Sequence, residues 1–288
     1  MRTYLDCYPC FLRQTLATLR LTTGDEAEQK RIMGLVMAAL PSLPLELTPP
    51  EISQTVYGII ARETGVADPY RELKYQSNRE ALLALPALMQ QINHAPDRLR
   101  SAAALAINGN LIDFGVRHDG FQAAKELSCQ QSNTFARDDF SLFQKQLAAT
   151  STLLYIGDNA GEIVADKIFI TIMKELHPHL KIVFAVRESP IINDVTLDDA
   201  RQVGMSEVAR VISSGSHAPA LLLEEMNSEM ADWFAAASLV IAKGQGNYES
   251  LNHCDRSLFF LLQCKCQVVA EDLGVPAGST IFAYHNPK

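Results

Sequence analysis

The stretch STLLYIGDNAGEIVAD, at residues 151–166, decides the fold. Its first part, Thr152–Ile156, is a short apolar run rich in strand-forming side chains, which is typical of a buried β-strand. Gly157 ends the run, and residues 163–176 then place apolar side chains at helical spacing. The stretch therefore predicts a strand, a tight polar turn and a helix, which is the repeating unit of sheets with parallel strands.

The turn of this unit carries Asp158 and Asn159 directly after the predicted strand. Ligands of open α/β sheets bind at the carboxyl ends of strands, and Asp and Asn offer the oxygen ligands that Mg²⁺ and Mn²⁺ prefer. The same residue types also turn the chain and cap helices where nothing is bound. The turn alone supports a metal site and a helix cap equally well.

Composition points to an ordinary globular protein. The 288 residues are enough for one large domain or two smaller ones, and 48% of them are hydrophobic against 20% charged. The net charge of −8 argues against a broad surface for nucleic acid. No apolar run is long enough for a membrane span, and the opening MRTYLDCYPC lacks the core of a signal peptide. We therefore expect a cytoplasmic protein whose six cysteines are mostly reduced.

The first half of the chain predicts helices. Apolar residues recur at helical spacing in five segments, at residues 7–21, 32–40, 51–63, 70–92 and 96–107. Pro86 lies inside the fourth segment, where it is expected to kink the helix. No strand is predicted before about residue 150.

The second half alternates predicted strands with predicted helices. The strands lie at residues 152–156, 181–186, 208–213, 239–243 and 258–264. The helices lie at residues 163–176, 197–203 and 220–237, with a short one ending at Leu273. Strands separated by helices in this way form a parallel sheet that is covered on both faces.

The predicted fold class is therefore α/β, in two parts. A helical domain, residues 1–148, precedes a Rossmann-like, doubly wound α/β/α domain, residues 149–288, whose sheet is mainly parallel. The boundary between them has no linker rich in Gly, Ser or Pro, so the two parts are expected to pack tightly.

Polar residues cluster after the predicted strands, at the edge where a doubly wound sheet places its site. Asp158 and Asn159 follow the first strand, Glu188 and Asp194 follow the second, and the run KGQGNYE at residues 243–249 follows the fourth. Carboxylates can hold a cation, and the cation can hold a phosphate. This edge therefore predicts a site for a metal ion and a phosphate group.

Lys243 is the one cation in this predicted cluster, and it can neutralise the charge that remains on a phosphate. Gly244 and Gly246 let backbone amides approach an anion closely. An ordinary solvated lysine is the alternative interpretation, although the apolar run before Lys243 makes it less attractive.

The helical half contains one unusual polar segment, INGNLIDFG, at residues 107–115. Asn110 and Asp113 stand there between two glycines. A helix cap with a turn is the simpler interpretation. The other is a loop that folds over the sheet edge, so that the helices form one wall of the site.

Five motifs, in this order along the chain, resemble the damage-control phosphatase family, long catalogued as a domain of unknown function. They are Cys7-Tyr-Pro-Cys10, INGNLIDFG at 107–115, GDNAGE at 157–162, INDV at 192–195 and KGQGNYES at 243–250. The resemblance covers essentially the whole chain, and the C-x-x-C is typical of the prokaryotic branch. It implies a helical part before a Rossmann-like α/β/α part. It also implies hydrolysis of small phosphate esters, such as sugar phosphates or phosphopantetheine-like and damaged metabolites, with manganese, cobalt, nickel or magnesium.

The resemblance also implies a role for individual residues. The implied metal ligands are Asp158, Asn159 and, as the third, Asp194, with Glu188 as the alternative third ligand. The implied contacts to the phosphate and the substrate come from Lys243, Gly244, Gly246, Asn247, Glu162, Asn110 and Asp113. In the implied mechanism the metal lowers the pKa of a bound water and Lys243 stabilises the departing phosphate. Either water or Asp158 could attack phosphorus.

The cysteines allow a second kind of site. Cys7 and Cys10 have metal-ligand or redox spacing, but one C-x-x-C is only half of a zinc site. Cys264 and Cys266 could complete four ligands if the two ends of the chain meet. Two idle thiols on the first helix are the favoured interpretation.

Two other functions fit a sheet with an acidic strand end. One is an S-adenosylmethionine-dependent methyltransferase, although GDNAGE lacks the G-x-G-x-x-G pattern and a lysine suits phosphate better than a sulfonium. The other is a non-catalytic metabolite-binding protein. Phosphate release that depends on added metal separates the phosphatase from both. The expected partner is a small phosphorylated metabolite, with neither nucleic acid nor membrane, and the sequence does not determine the oligomeric state.

Overall fold

The structure, a computed structural model, describes residues 1–109 and 134–287. Its first part has five helices, α1 to α5, at Tyr8–Thr22, Glu26–Ala39, Pro49–Thr64, Arg71–His94 and Arg98–Asn108. They confirm the five predicted helical segments. The largest difference is the start of α2 at Glu26, where Asp25 caps the helix by accepting a hydrogen bond from the Ala27 amide. Helix α4 continues past Pro86.

Helix α3 shows how local sequence fixes an element. Thr48 and Glu51 form a capping box, and Pro49 occupies the first helical turn, where its missing N–H costs nothing. Gly65 ends the helix in the left-handed conformation, with φ of 69°. The helix is therefore bounded by its own sequence, while its apolar face packs against α1 and α2.

The second part forms one sheet with helices on both faces. The strands are β1 Arg137–Asp138, β2 Thr152–Ile156, β3 Lys181–Val186, β4 Arg210–Ser213, β5 Leu239–Lys243, β6 Leu258–Gln263 and β7 Thr280–His285. The helices are α6 Phe140–Ala148, α7 Glu162–Leu176, α8 Leu197–Gln202, α9 Ser228–Ala236, α10 Gly244–Leu251 and α11 Gln267–Leu273. Among the described residues, no helix combines the length and hydrophobicity of a membrane span.

The strand order places a crevice above the middle of the sheet. The order is β1-β7-β6-β5-β2-β3-β4, and the five strands from β6 to β4 are parallel. The chain runs from β2 to one side through β3 and β4, then returns to the other side through β5 and β6. Ile156 pairs with both Ala185 and Ala242, so the segments after β2, β3 and β5 leave the sheet side by side. This reversal is the point at which doubly wound sheets bind their ligands.

Two strands were missed in the sequence. Strand β7 runs antiparallel to β6, and β1 pairs with β7 at the sheet edge, although no strand was predicted before residue 150. Strand β1 has only two residues, both charged and exposed, so no apolar pattern marks it. It exists because β7 offers it a partner. The sheet remains mainly parallel, as predicted.

In the second half, one predicted helix begins later than expected and one observed helix was not predicted. The helix expected over residues 220–237 begins only at Ser228, because Asn227 caps it by accepting a hydrogen bond from the Met230 amide. Residues 244–251, which were assigned to no element from the sequence, form helix α10 directly after β5. The glycines at 244 and 246 permit close contacts at the start of this helix.

The core is divided by the sheet. One cluster joins α4, α5 and α7 to one sheet face, with Phe143, Phe169 and Phe259 among its fully buried members. A second cluster covers the opposite face, and a third lies among α1, α2 and α3. Ile191, from the segment after β3, belongs to the third cluster. The helical part therefore packs directly on a strand-end segment, which places helices beside the crevice.

Candidate active site

The turn after β2 is held by close backbone contacts. A side-chain carbon at Gly157 would lie 2.6 Å from the Phe184 ring, so only glycine fits there. The Val195 amide donates to the Asp158 carbonyl at 2.9 Å, and Asn159 forms a backbone bridge with Asp194. The structure thus brings Asp158, Asn159 and Asp194 together, in a buried position at the carboxyl ends of β2 and β3.

Asn78 supports the same turn from the helical part. Its side-chain oxygen accepts a hydrogen bond of 2.7 Å from the amide of Gly161, which has φ of 80°. Its nitrogen donates to Asp199 at 3.3 Å, so a buried side chain of α4 links the turn to α8. Sequence reasoning missed Asn78, because nothing local marks an asparagine inside a helix as a contact over such a long range.

Asp158 lies against the start of helix α10. A side-chain carbon at Gly244 would lie 2.0 Å from Asp158 Oδ2, and Gly244 has φ of 83°, so glycine is required twice over. At Gly246 a side-chain carbon would lie 2.4 Å from the Pro219 carbonyl oxygen, which makes that glycine a packing requirement as well. The carboxylate therefore faces the positive end of the α10 dipole.

Asn159 joins two carboxylates. Its side-chain nitrogen donates to Asp158 Oδ2 and to Glu162 Oε1, each at 2.8 Å. Glu162 begins helix α7 and is almost fully buried. Glu162 therefore lies beside Asp158 and Asn159, and the amide holds both carboxylates in place.

Lys243 is 1% exposed, so its interpretation as a solvated lysine is wrong. Its ammonium lies 2.9 Å from Asp166 Oδ1 and 3.5 Å from Glu162 Oε2. Burial lowers the pKa of Lys243, but the neighbouring Asp166 and Glu162 outweigh it and the net pKa is raised. Lys243 also lines a narrow recess with Asp158 and Gly244.

Asp166 was missed in the sequence although it anchors this lysine. It follows Glu162 by one helical turn, so both side chains lie on the same face of α7. The Tyr155 hydroxyl donates to Asp166 Oδ1 at 2.6 Å. Burial raises the pKa of Asp166, while Lys243 opposes the rise. A carboxylate one turn after the motif, between the apolar residues at 163–165 and 168–170, was the available signal.

Arg187 is another buried cation beside the site, and it was also missed. Its Nε donates to Asp194 Oδ2 at 2.8 Å, and its side chain is fully buried. Burial raises the pKa of Asp194 to about 6, against the opposing effect of Arg187. Within residues 1–109 and 134–287, both terminal guanidinium nitrogens of Arg187 have no hydrogen-bond partner. Such orphaned donors suit an anionic group that the described residues do not supply.

Asn247 has its side chain committed to the protein. The nitrogen donates to the carbonyl of Lys243 at 2.7 Å and of Gly157 at 3.3 Å, while the oxygen accepts from the Leu221 amide at 2.7 Å. It thus ties the ends of β2 and β5 together. This residue positions the site by holding the two strand ends side by side.

Glu188 lies apart from these contacts. It is exposed, and its side chain accepts a hydrogen bond from the Ser213 hydroxyl at the end of β4. Asp194, in contrast, bridges Asn159. The geometry therefore favours Asp194 over Glu188 as the third ligand.

Asn110 and Asp113 lie outside the described residues, and their predicted roles stay predictions. The helix that precedes them does reach the site. A side-chain carbon at Gly109, directly after α5, would lie 3.5 Å from the Glu162 Cα.

A cleft of about 540 Å³ opens above Asp158, Asn159 and Asp194. Helices α1 and α3 form one wall, and the segments after β5 and β6 form the other, where Lys265 is the exposed cation. The Lys265 amide donates to Gln245 Oε1 at 2.8 Å, which fixes its backbone beside α10. No feature of the sequence marks Lys265 as a site residue, since it follows a strand that was not assigned to the site.

Cys7, Cys10 and Cys266 line the same cleft, whereas Cys264 is buried behind it. In the part of the chain that the structure describes, no three His, Cys, Asp or Glu side chains form a group that could hold a metal. The zinc interpretation of the cysteines therefore gains no support. The set of Asp158, Asn159 and Asp194 has two carboxylates and an amide, so it is not a group of that kind.

The charges of this cluster favour a bound cation. Burial raises the pKa of Asp158 well above its ordinary value, and the nearby charges of Glu162 and Asp194 raise it further. Oxygen donors that are crowded and desolvated in this way suit a hard divalent ion, which would offset their repulsion. The residues present therefore fit the predicted metal.

Glu249 lies on the cleft wall, and its position there leads to a testable prediction about stability. Burial raises its pKa to about 7, against a hydrogen bond from Gln245. Because the folded pKa lies above the unfolded value, the carboxylate costs stability as pH rises from about 4.5 through 7. We expect Glu249→Gln to raise the free energy of unfolding by about 1–2 kcal/mol at pH 8 and by nothing at pH 4. Urea unfolding at the two pH values measures this, and an equal effect at both would contradict it.

Comparison with known proteins agrees with this geometry. The profile of the damage-control phosphatase ARMT1-like domain matches residues 3–281. The chain is 33% identical to an uncharacterized protein of Methanocaldococcus jannaschii, over 96% of this chain and 93% of that protein. It is 30% identical to a damage-control phosphatase of Pyrococcus horikoshii, over 98% of this chain and 97% of that protein.

The fold has a solved counterpart. The crystal structure of a DUF89 family protein from Pyrococcus horikoshii superimposes with a TM-score of 0.94 at 28% identity, covering 99% of this chain and 100% of that one. The family profile spans nearly the whole chain, and three of the motifs that suggested the family meet at one sheet edge. On both grounds, the chain belongs to the damage-control phosphatase family.

Proposed function

We propose that this protein is a metal-dependent phosphomonoester hydrolase that acts on small phosphorylated metabolites, including damaged ones. The observation that carries the proposal is the buried contact of Asp158, Asn159 and Asp194 at the switch point of the sheet, below an open cleft. Family membership favours this function over a methyltransferase or a non-catalytic binding protein.

Asp158, Asn159 and Asp194 would hold the divalent ion, which we propose to be manganese, cobalt, nickel or magnesium. When bound, such an ion polarises a phosphoryl oxygen and contributes positive charge to the site. Asn159 orients Asp158 through its side-chain nitrogen, and Arg187 orients Asp194. These contacts fix the ligand oxygens before anything binds.

Two lysines of the protein are placed to act on a bound phosphate, Lys243 from the recess beside Asp158 and Lys265 from the cleft wall. Lys243 is held by Asp166 and lines the recess beside Asp158, so its charge can stabilise a phosphate that sits there. Its pairing with two carboxylates leaves little net charge at that point. A phosphate monoester brings nearly two negative charges near neutral pH, so a further cation is useful.

Lys265 is the cation that we propose for capture of the phosphate. It lines both the recess and the cleft, and within the described residues its ammonium makes no ion pair. Lys265→Ala should raise the Michaelis constant about tenfold or more, because a charge-assisted hydrogen bond is lost, and should leave kcat within a few fold.

The control for this variant is Lys145→Ala, which removes an exposed lysine of α6 that does not line the cleft. Kinetics at two ionic strengths sharpen the comparison. A wild-type Michaelis constant in the Lys265 variant, with unchanged salt dependence, would remove Lys265 from the site.

The function itself is tested by phosphate release from a panel of phosphomonoesters with Mn²⁺, Co²⁺, Ni²⁺ or Mg²⁺, and again with a chelator. We expect release that requires one of the ions and that the chelator abolishes. Release that is equally fast in the chelator would contradict the metal dependence. Absence of release across the panel and the ions would contradict the phosphatase.

A further inference from the structure

A second cavity adjoins the cleft and has a different character. It measures about 340 Å³ and lies between helix α3, the turn at residues 66–70 and the segment at residues 189–192. We name it the Tyr57 pocket, after the α3 side chain that lines it. Its size is that of a small-molecule site.

The pocket and the cleft are neighbouring spaces that share one lining residue and are linked by one hydrogen bond. Ile192 lines both spaces and is followed by Asn193 and Asp194, which line the cleft. Gln14 lines the cleft and accepts a hydrogen bond of 3.4 Å from the Tyr57 hydroxyl. Ile192 has φ of 45°, and no other non-glycine residue in the described ranges has a positive φ. A β-branched residue in that conformation is strained, and strain of this kind is concentrated at ligand sites.

The polar side chains around the pocket are already paired with protein groups. The Tyr70 hydroxyl bonds Thr18 at 2.9 Å, and Ser189 bonds His217 at 2.8 Å. Gln54 likewise donates to Glu225 at 2.7 Å. A ligand would therefore meet mostly carbon, from residues such as Ile60, Ala61, Val66, Pro190 and Ile191.

Because these polar groups are already paired, the pocket should favour apolar ligands over polar ones. A polyol that enters the pocket loses its hydrogen bonds to water and finds few free partners, which is costly. An apolar group gains by leaving water and loses nothing. The pocket is therefore suited to the apolar part of a molecule whose charged end lies in the cleft.

We propose that the Tyr57 pocket binds the alcohol part of the substrate, and that the favoured substrates are phosphomonoesters of apolar aliphatic or aromatic alcohols rather than of polyols. This inference rests on the proposed phosphatase function. It adds a substrate class and a specificity site formed by α3 and the segment after β3.

Gly58 allows a sharp test. It lies in α3 and lines the pocket, and a side-chain carbon added there meets nothing within 4 Å. Gly58→Leu should fill the pocket without disturbing the backbone. The matched control is Gly34→Leu in α2, where an added carbon also meets nothing and where no part of the pocket lies. Ala67→Leu, from the turn that lines the pocket, blocks it by a second route.

Two readouts are used. Steady-state kinetics compare 2-naphthyl phosphate with ribose 5-phosphate, and calorimetry measures binding of 2-naphthol, which needs neither phosphate nor turnover. The wild type should prefer the naphthyl ester. Gly58→Leu and Ala67→Leu should lower kcat/KM for that ester about tenfold or more, while ribose 5-phosphate changes less than about twofold. Both variants should also lose 2-naphthol binding, and Gly34→Leu should match the wild type.

The outcomes separate this inference from the function on which it rests. Equal losses for both esters in the pocket variants, or a wild type that does not bind 2-naphthol, would overturn the pocket. A wild type that binds 2-naphthol, loses it in both pocket variants and releases no phosphate from any ester would support the pocket and overturn the phosphatase.

Discussion

Asp158→Asn is expected to abolish phosphate release, with a loss of well over a hundredfold in kcat/KM, while the folded state becomes more stable. Side chains that merely support metal ligands already cost 10–100-fold when they are replaced, so a ligand itself should cost more. The stability gain follows from the cluster, because Asp158, Glu162 and Asp194 are buried together and repel one another. Function and stability thus oppose each other at this residue.

Two measurements are paired. Phosphate release is measured with the divalent ion, and urea unfolding is measured in a chelator, so that metal binding does not affect the stability. Asp232→Asn is the matched control, since Asp232 is exposed on α9 and does not line the cleft. Near-normal activity in the Asp158 variant would show that the site lies elsewhere. A clear loss of stability would show that Asp158 has a structural role that its contacts do not reveal.

Lys243→Met is expected to lower the free energy of unfolding by about 3–5 kcal/mol and turnover by about a hundredfold. From sequence, this lysine was expected to act on the phosphate alone. The structure adds the stability effect, because removal of the ammonium leaves Asp166 and Glu162 buried without their cation. Methionine keeps most of the side-chain volume, so the loss reports the charge rather than a cavity.

The double variant Lys243→Met with Asp166→Asn separates the two effects. Because the uncompensated carboxylate is removed, part of the lost stability should return, whereas turnover should stay low. Lys167→Met is the control, since its partner Glu207 is largely exposed and such pairs contribute about 1 kcal/mol or less. If the single Lys243 variant turns over normally and only its stability falls, Lys243 is a structural residue.

The local sequence was sufficient to predict the strands at the centre of the sheet. Strands β2, β3 and β5 match their predicted bounds, because strands buried on both faces read as uninterrupted apolar runs. Strand β1 could not be found in this way, since its two charged residues become a strand only through the distant β7. The start of α10 was hidden for another reason, because Gly-Gln-Gly has a loop-like composition and a helical backbone.

The same distinction between local and long-range information applies to the residues of the site. Asp158, Asn159 and Asp194 could be proposed because parallel strands deliver their ends to one edge, which is a rule of topology. Lys265 and Arg187 could not, because their roles depend on distances between segments that no periodicity encodes. Lys243 shows the limit most clearly. Its position was predictable, but its burial and its pairing with Asp166 required the packing of α7 against the sheet.

Strand β7 is the last element in chain order, and this position has a consequence for folding during synthesis. It fills the gap between β6 and β1, yet it follows β1 by about 140 residues of chain. At synthesis rates of 5–20 residues per second, β1 would wait roughly 7–30 seconds for this strand, and β6, which ends 17 residues before β7, would wait roughly 1–3 seconds. Until then β6, with the sequence LFFLLQ, is an open hydrophobic edge of the kind that pairs with other chains. Soluble yield should therefore depend on the cell's chaperones more than the stability of the finished fold would suggest.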